Sequence, residues 1–306
     1  MIKPKIVLSR CFSKPVRYNG GVVVDEFVEK LKPYIEYIDF CPESDIGLGV
    51  PRERLIIVDD GLSKRLIQPD TGKDFTEKML EYVSKTVSSM TNIDGFILKA
   101  KSPSCGVGSA KLYRNGSIAA KTDGFFAEAI KKHFHYLPIE DEGRLRDEEI
   151  KTHFLTRIFA FSELRQLNGH SRAKNLVDFH SRYKFLLMAY SQKYLKELGQ
   201  IVADSRMPIE DKINRYREKF YQAFTKKTNR RKNVNVLMHI MGCVSKKLNA
   251  KEKKHILQLI DRYSKGIIEI RVITELLRSL AYRFKNEYIL LQKYLEPFPP
   301  ELNHSC

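Results

Sequence analysis

No apolar run in this sequence approaches the roughly 20 residues that a membrane-spanning helix needs. The opening MIKPKIVLSRCF also lacks the long apolar core and small-residue cleavage site of a secretory signal. Cysteine is scarce: the 306 residues contain five, an odd number, with no CxxC pair. That argues against a disulfide framework and against a zinc ribbon or knuckle. The eight histidines show no HExxH or similar ligand spacing. Repeats of fixed period and low-complexity tracts are absent as well. These absences lead to the expectation of a soluble, cytoplasmic chain without membrane attachment or a stable protein partner. Hydrophobic residues make up 42%, an ordinary globular share, so general disorder is excluded.

Negative charge is what the second half has little of. Residues 1–150 hold 23 basic and 23 acidic residues, whereas residues 151–306 hold 31 basic and 14 acidic. The whole excess of +17 therefore lies in the second half. Such asymmetry suggests that one part binds a polyanion while the other does something else.

The first half alternates between two periodicities. KIVLS (5–9), YIEYIDF (34–40), RLIIVDD (54–60) and GFILKA (95–100) read as strands. VVVDEFVEKLKPY (22–34), DFTEKMLEYVSKTVSSM (74–90) and GFFAEAIKKHF (124–134) read as helices, the second with Asp70 and Thr71 as candidate caps. Alternation of this kind predicts a Rossmann-like α/β domain with a mostly parallel sheet. The charged stretch 138–150 carries the boundary, giving domains 1–147 and 148–306. The second half has few strand signals and should be an all-α helical domain. Helical spacing runs over 153–167, 173–199, 208–227, 234–248, 250–266 and 272–284, with Gly199 and Gly266 as candidate C-caps. The segment PFPP (297–300) ends the regular structure.

Three cysteines occupy equivalent places in the alternating half. Cys11, Cys41 and Cys105 each follow a predicted strand, at the sheet edge where α/β proteins bind ligands. Three thiolates converging there could hold one soft metal centre, and they suit a cubane iron–sulfur cluster with one iron left open. Three separate buried cysteines with no shared role would look the same at this level. Cys243, in an apolar helical stretch, reads as core, and the terminal Cys306 as free. His180 and His239 read as packing or hydrogen-bonding residues. Glu43 alone reads as a helix-start carboxylate, and Ser102 before Pro103 as a turn former.

The words around the three cysteines carry more. Cys11 is followed by Arg17-Tyr18-Asn19-Gly20-Gly21. Cys41 opens Cys41-Pro42-Glu43, followed by Gly47-Leu48-Gly49-Val50-Pro51-Arg52-Glu53. Cys105 closes Lys101-Ser102-Pro103-Ser104-Cys105-Gly106. Over about the first 145 residues the chain resembles the thiouracil desulfidase family on these three words, in this order. The second half resembles the YbgA-type domain through KTHFLTRIFAFSELR, LVDFHSRYKFLLMAYSQKYLKELG, NVLMHIMGCVSKKL and YLEPFPPEL. The order of the two domains is that of fused proteins implicated in removing sulfur from thiolated uridine in tRNA.

The resemblance implies a [4Fe-4S] cluster bound by Cys11, Cys41 and Cys105, with the open iron taking the substrate sulfur. It implies Glu43 and Ser102 as the catalytic carboxylate and hydroxyl, and 4-thiouridine-containing tRNA as the partner and substrate. Free thiouracil or a thionucleoside, a non-enzymatic iron–sulfur RNA-binding or redox-sensing role, and zinc in place of the cluster are the alternatives. Arg17, Asn19, Arg52 and Lys101 are candidate substrate or phosphate contacts. Lys226, Lys227, Arg230, Arg231 and Lys232, read as lying between helices, and Lys246 and Lys247 are candidate RNA contacts. Tyr216, Phe220 and Tyr221 lie nearby as aromatics that could stack on bases.

Overall fold

A computed structural model describes residues 2–303. The chain divides into two compact units, one running to Ser162 and taking back the chain from Glu301, the other Glu163–Pro300. This division falls in the last turn of a helix, whereas the boundary expected at 147/148 falls at that helix's start. No helix among the described residues is long and apolar enough to cross a membrane.

In chain order the first unit holds β1 (Lys5–Ser9), α1 (Glu26–Leu31), β2 (Glu36–Phe40), α2 (Pro42–Asp45), β3 (Ile56–Asp59), β4 (Lys64–Gln68) and β5 (Lys73–Asp74). It continues with α3 (Thr76–Ser89), β6 (Gly95–Leu98), β7 (Ala110–Arg114), β8 (Ser117–Thr122), α4 (Phe125–His133), β9 (Ile139–Asp141) and most of α5 (Glu148–Arg165). Four of the strands form a sheet in the order β2-β1-β6-β9, every pair parallel. Its central strands are the apolar runs KIVLS and GFIL, the latter buried throughout, as a strand covered on both faces must be. This is the parallel α/β layer that the alternation predicts.

A second sheet, in the order β5-β4-β3-β7-β8, is antiparallel except for β3 against β7. Only β3 is foreseen by the apolar pattern. β7 (AKLYR) and β8 (SIAAKT) carry too few apolar residues to read as strands. Their turn is the legible part: Asn115-Gly116, both at positive φ (50° and 77°), is a strong hairpin signal.

Two helix starts differ from expectation. The β-branched run Val22-Val23-Val24 stays outside α1, which begins after Asp25 accepts a bond from the Val28 amide at 3.1 Å. Asp70 and Thr71 sit in the β4–β5 turn, and the carboxylate at the start of α3 is that of Asp74, bonded to the Thr76 amide at 2.8 Å.

The second unit is helical: α6 (Ala173–Tyr190), α7 (Gln192–Ala203), α8 (Ile209–Ala223), α9 (Arg230–Val244), α10 (Ala250–Ser264), α11 (Ile270–Arg283) and α12 (Glu287–Leu290). The single helix expected over 173–199 is two, broken at Ser191, whose extended backbone and hydroxyl cap α7. Gly199 therefore lies inside α7 and is not a C-cap, whereas Gly266, at φ 76°, follows α10 as one. Phe179, Tyr183, Tyr216 and Phe220 interlock between α6 and α8, with Phe179 stacked on Tyr183 at 4.4 Å between centroids. Tyr216 and Phe220 are fully buried, so they are core and offer no surface to a base.

Candidate active site

The parallel order β2-β1-β6 explains why three cysteines distant in sequence share one place. Each leaves the carboxyl end of one of three neighbouring strands: Cys11 in a short 3₁₀ turn after β1, Cys41 between β2 and α2, and Cys105 after the turn that follows β6. All three line a single cavity of about 440 Å³, together with Glu43, Arg52, Ser102, Arg17, Tyr18, Lys99 and Lys101.

Two local devices hold the thiols. Arg10, next to Cys11, donates to Asp39 at 3.1 Å and to Asp45 at 2.5 Å, so one guanidinium ties the first cysteine turn to both sides of Cys41. The third turn is fixed by helix α4, whose first amides bond the turn's carbonyls: Phe125 to Pro103 at 3.1 Å and Phe126 to Ser104 at 2.8 Å. Gly124 makes this approach possible, since a Cβ there would lie 2.5 Å from the Ser104 carbonyl carbon.

Glu43 is fully engaged. One carboxylate oxygen accepts both Nε and an Nη of Arg52, at 3.0 and 2.7 Å; the other accepts the hydroxyls of Ser102 and Ser104, at 3.3 and 3.1 Å. The Ser102 hydroxyl oxygen also accepts the amides of Ser104 and Cys105, each at 3.1 Å. Glu43, Ser102 and the third cysteine are thus joined by direct hydrogen bonds. The two charge-assisted bonds converge on one oxygen and the two hydroxyls hold the other, so the carboxylate is fixed in orientation as well as in charge. Neither Ser104, fully buried, nor Arg10 is marked out by the sequence alone, because their roles depend on strand neighbours that are far apart in the chain.

Two of the thiols are raised above their ordinary range. Burial pushes Cys11 up to about 12, the charges of Cys41, Glu142 and Glu43 add to the rise, and Lys99 opposes it. Cys105 is raised by its complete burial, with a hydrogen bond from Ser9 in opposition. A cationic centre would reverse this balance by favouring thiolates. All the converging donors of this group are sulfur, which suits a soft centre. Among the described residues no three His, Cys, Asp or Glu side chains close on a single ion.

The remaining expected contacts fall in different places. Arg17 lines the cavity with its guanidinium 5.8 Å from the Tyr18 ring, and Lys101 lines it from a left-handed backbone (φ 62°). Arg52 lines the cavity, but its donors are spent on Glu43 and on the carbonyls of Val16 and Gly49. Asn19 stays outside the cavity, and its side chain accepts the Gly21 amide.

In the second unit the run Arg230-Arg231-Lys232 opens α9 and is not an interhelical loop. Arg230 and Lys232 are drawn into the fold, donating to the carbonyls of Tyr263 (3.1 Å) and Tyr190 (2.7 Å). Lys247 likewise donates to the Phe284 carbonyl at 2.8 Å. Lys226, Arg231 and Lys246 are exposed and make no such bond, and Lys227 is exposed. Cys243 is exposed, because the buried face of α9 runs through Val236, Ile240 and Val244 and leaves position 243 outside it. Cys306 lies outside the described residues.

Fold and site together define an α/β unit whose sheet edge gathers three thiols around a small cavity, followed by a helical unit. Residues 6–142 match the 2-thiouracil desulfurase family, and residues 184–299 match a family described as a protein of unknown function (DUF1722). The chain is 33% identical over 154 residues to the uncharacterized protein YbgA of Escherichia coli (strain K12), covering 49% of this chain and 90% of YbgA. It is 32% identical over 154 residues to the uncharacterized protein YbbK of Bacillus subtilis (strain 168), covering 46% of this chain and 98% of YbbK. A solved structure, the [4Fe-4S]-dependent thiouracil desulfidase TudS, is 25% identical over 47% of this chain and 95% of its own, with a TM-score of 0.39. The chain belongs to the 2-thiouracil desulfurase family through its first part and to the DUF1722 family, with YbgA, through its second.

Proposed function

We propose that this protein removes sulfur from 4-thiouridine in tRNA, giving uridine and hydrosulfide. The observation that carries the reading is the meeting of Cys11, Cys41 and Cys105 on one cavity with the hydrogen-bonded pair Glu43 and Ser102. A [4Fe-4S] cluster held by the three thiolates would supply an open, Lewis-acidic iron for the substrate sulfur. Glu43, oriented by Arg52, takes a proton from the attacking water. Ser102, within reach of the same carboxylate, passes a proton towards the leaving side. The C=S double bond is replaced by C=O; of the two protons of water, one leaves on hydrosulfide and the other passes to solvent. No electron is transferred, so no reductant is needed. The cavity has the size of a small-molecule site, so a base within RNA must unstack to enter it. The same size favours a second reading, in which free thiouracil or a thionucleoside is the substrate.

The test is anaerobic reconstitution with iron and sulfide, then incubation with thiolated tRNA and with free 4-thiouracil, followed by nucleoside and sulfide analysis. About four irons per chain are expected, as a cubane requires. Cys→Ser at 11, 41 or 105 should abolish them, and Cys243→Ser should not. Glu43→Ala and Ser102→Ala should keep the iron and slow sulfide release by roughly 10² or more. Stoichiometric zinc without labile sulfide would sink the cluster. An iron-loaded protein that binds RNA and releases no sulfide would be a sensor or binding protein instead.

A further inference from the structure

The five-stranded sheet is buried on one side only. Val58 stands opposite Arg65 on β4 and Tyr113 on β7; Tyr113 stands opposite Ile118 on β8, and Lys111 opposite Lys121. Residues directly opposite share a face, so these six lie together. The alternate residues Ile57 and Leu66, on the other face, are fully buried. Of the face under discussion, Lys111, Lys121 and Ile118 are exposed, Ile118 to 55%. The bulge beside Tyr113 keeps Ile118 and Lys121 on this side although the register shifts between them.

Three properties of this face point to one kind of partner. Lys111 and Lys121 are like charges directly across a strand pair, an arrangement that costs stability. Among the described residues neither they nor exposed Arg54 has a carboxylate partner, while Asp74 at the β5 edge is taken by Arg65. Tyr113 and Ile118 set a ring and an apolar side chain among the cations, as surfaces that stack unpaired bases do. The face also runs into the candidate active site, since Arg54, Ile56, Lys111 and Tyr113 line its cavity. The local charge is not inherited from composition, because residues 1–150 are neutral overall.

We infer that the open face of the β5-β4-β3-β7-β8 sheet is a docking platform for the RNA strand flanking the reacting base. It takes phosphates on Lys111, Lys121 and Arg54 and guides the base into the cavity. The inference rests on the tRNA reading above and adds a second RNA-binding surface, within residues 1–150, the part of the chain without net charge. It makes Lys121, outside the cavity, a determinant for RNA over small substrates.

The experiment compares reconstituted full-length wild type, Lys121→Glu, Lys121→Arg and Lys111→Glu/Lys121→Glu on 4-thiouridine tRNA. It reads Kd over a salt series and kcat/KM for sulfide release, with Tm as the check on folding. Lys121→Glu should weaken tRNA binding about three- to tenfold and lower the salt slope by about 1; the double variant should lower the slope by about 2. Lys121→Arg should behave as wild type. A Lys121→Glu protein with unchanged Tm, Kd and slope overturns the platform and leaves the desulfidation reading standing. Should that variant lose Tm, Lys121→Thr takes its place, and an unchanged slope there overturns the platform equally. A wild type that processes free thiouracil but no tRNA overturns both.

Discussion

Arg52 has almost no exposed surface in its side chain and puts a fork of donors on Glu43. A lysine ammonium lacks the planar pair of N–H donors that converge on one Glu43 carboxylate oxygen. Arg52→Lys should therefore keep the fold and the iron content but lower kcat by about 10- to 100-fold, the usual scale for losing a partner that orients a reacting group. A variant with wild-type kcat would remove Glu43 from the mechanism. His180 supplies the pH-dependent residue. Burial, reinforced by the charge of Lys184, lowers its pKa from 6.5 to about 4, and Nδ1 lies 3.0 Å from the Tyr216 hydroxyl. The unfolded chain therefore binds this proton first. Its contribution to stability is complete above pH 6.5, falls as the pH drops towards 4, and is level below that. Between those limits the loss should be on the order of 3–4 kcal/mol, since one unit is worth about 1.4 kcal/mol. His180→Gln should flatten the pH dependence of the denaturant midpoint between pH 7 and pH 4.5; an equally steep fall would show that another group titrates.

Among the elements, the turn that carries Ser102, Ser104 and Cys105 is the one built by another element. Its carbonyls meet the first amides of α4, and Gly124 is the only residue type that lets them. Its φ of −67° is ordinary, so the requirement is one of space. Gly124→Ala should cost about 1–3 kcal/mol, the scale of overpacking, and should also lower the iron retained per chain. Normal iron with a lowered Tm would separate packing from the site. The apolar strands KIVLS and GFILKA and the cysteines that follow them were readable because burial on both faces leaves a continuous apolar signature. β7 and β8 were not, since a one-sided sheet at the surface needs little apolar content and only Asn115-Gly116 betrays the hairpin. Cys11, Cys41, Cys105, Glu43 and Ser102 could be picked out from their local words. The partners of Glu43 and the second role of Arg10 could not, because strand order, not spacing, brings them together.

Taken over the whole molecule, the excess charge of the second half separates into two populations. Arg230, Lys232 and Lys247 donate to backbone carbonyls, whereas Arg231 and Lys246 project without a partner among the described residues. Arg231 also sits in the first turn of α9, where a cation opposes the helix dipole. Arg231→Glu/Lys246→Glu should leave Tm within a degree or two while weakening tRNA binding and flattening its salt dependence by about 2 in slope. Arg230→Glu or Lys247→Glu should instead lower Tm. The reverse pattern would mean that the free cations are only a solvated surface.

The gathering of the three thiols has a consequence in time. Positions 11, 41 and 105 become neighbours only when β1 lies between β2 and β6, a pairing that spans most of the first unit. A CxxC motif keeps its two thiols close while the chain is still unfolded; these three positions meet only in the folded sheet. The third thiol is the last of the three in the chain, and α4, whose first amides hold its turn, follows it. Long-range parallel pairing is slow compared with local helix formation. Under the proposed function, capture of the cluster would wait until the sheet has closed, so a nascent chain would not fill its site before it has one.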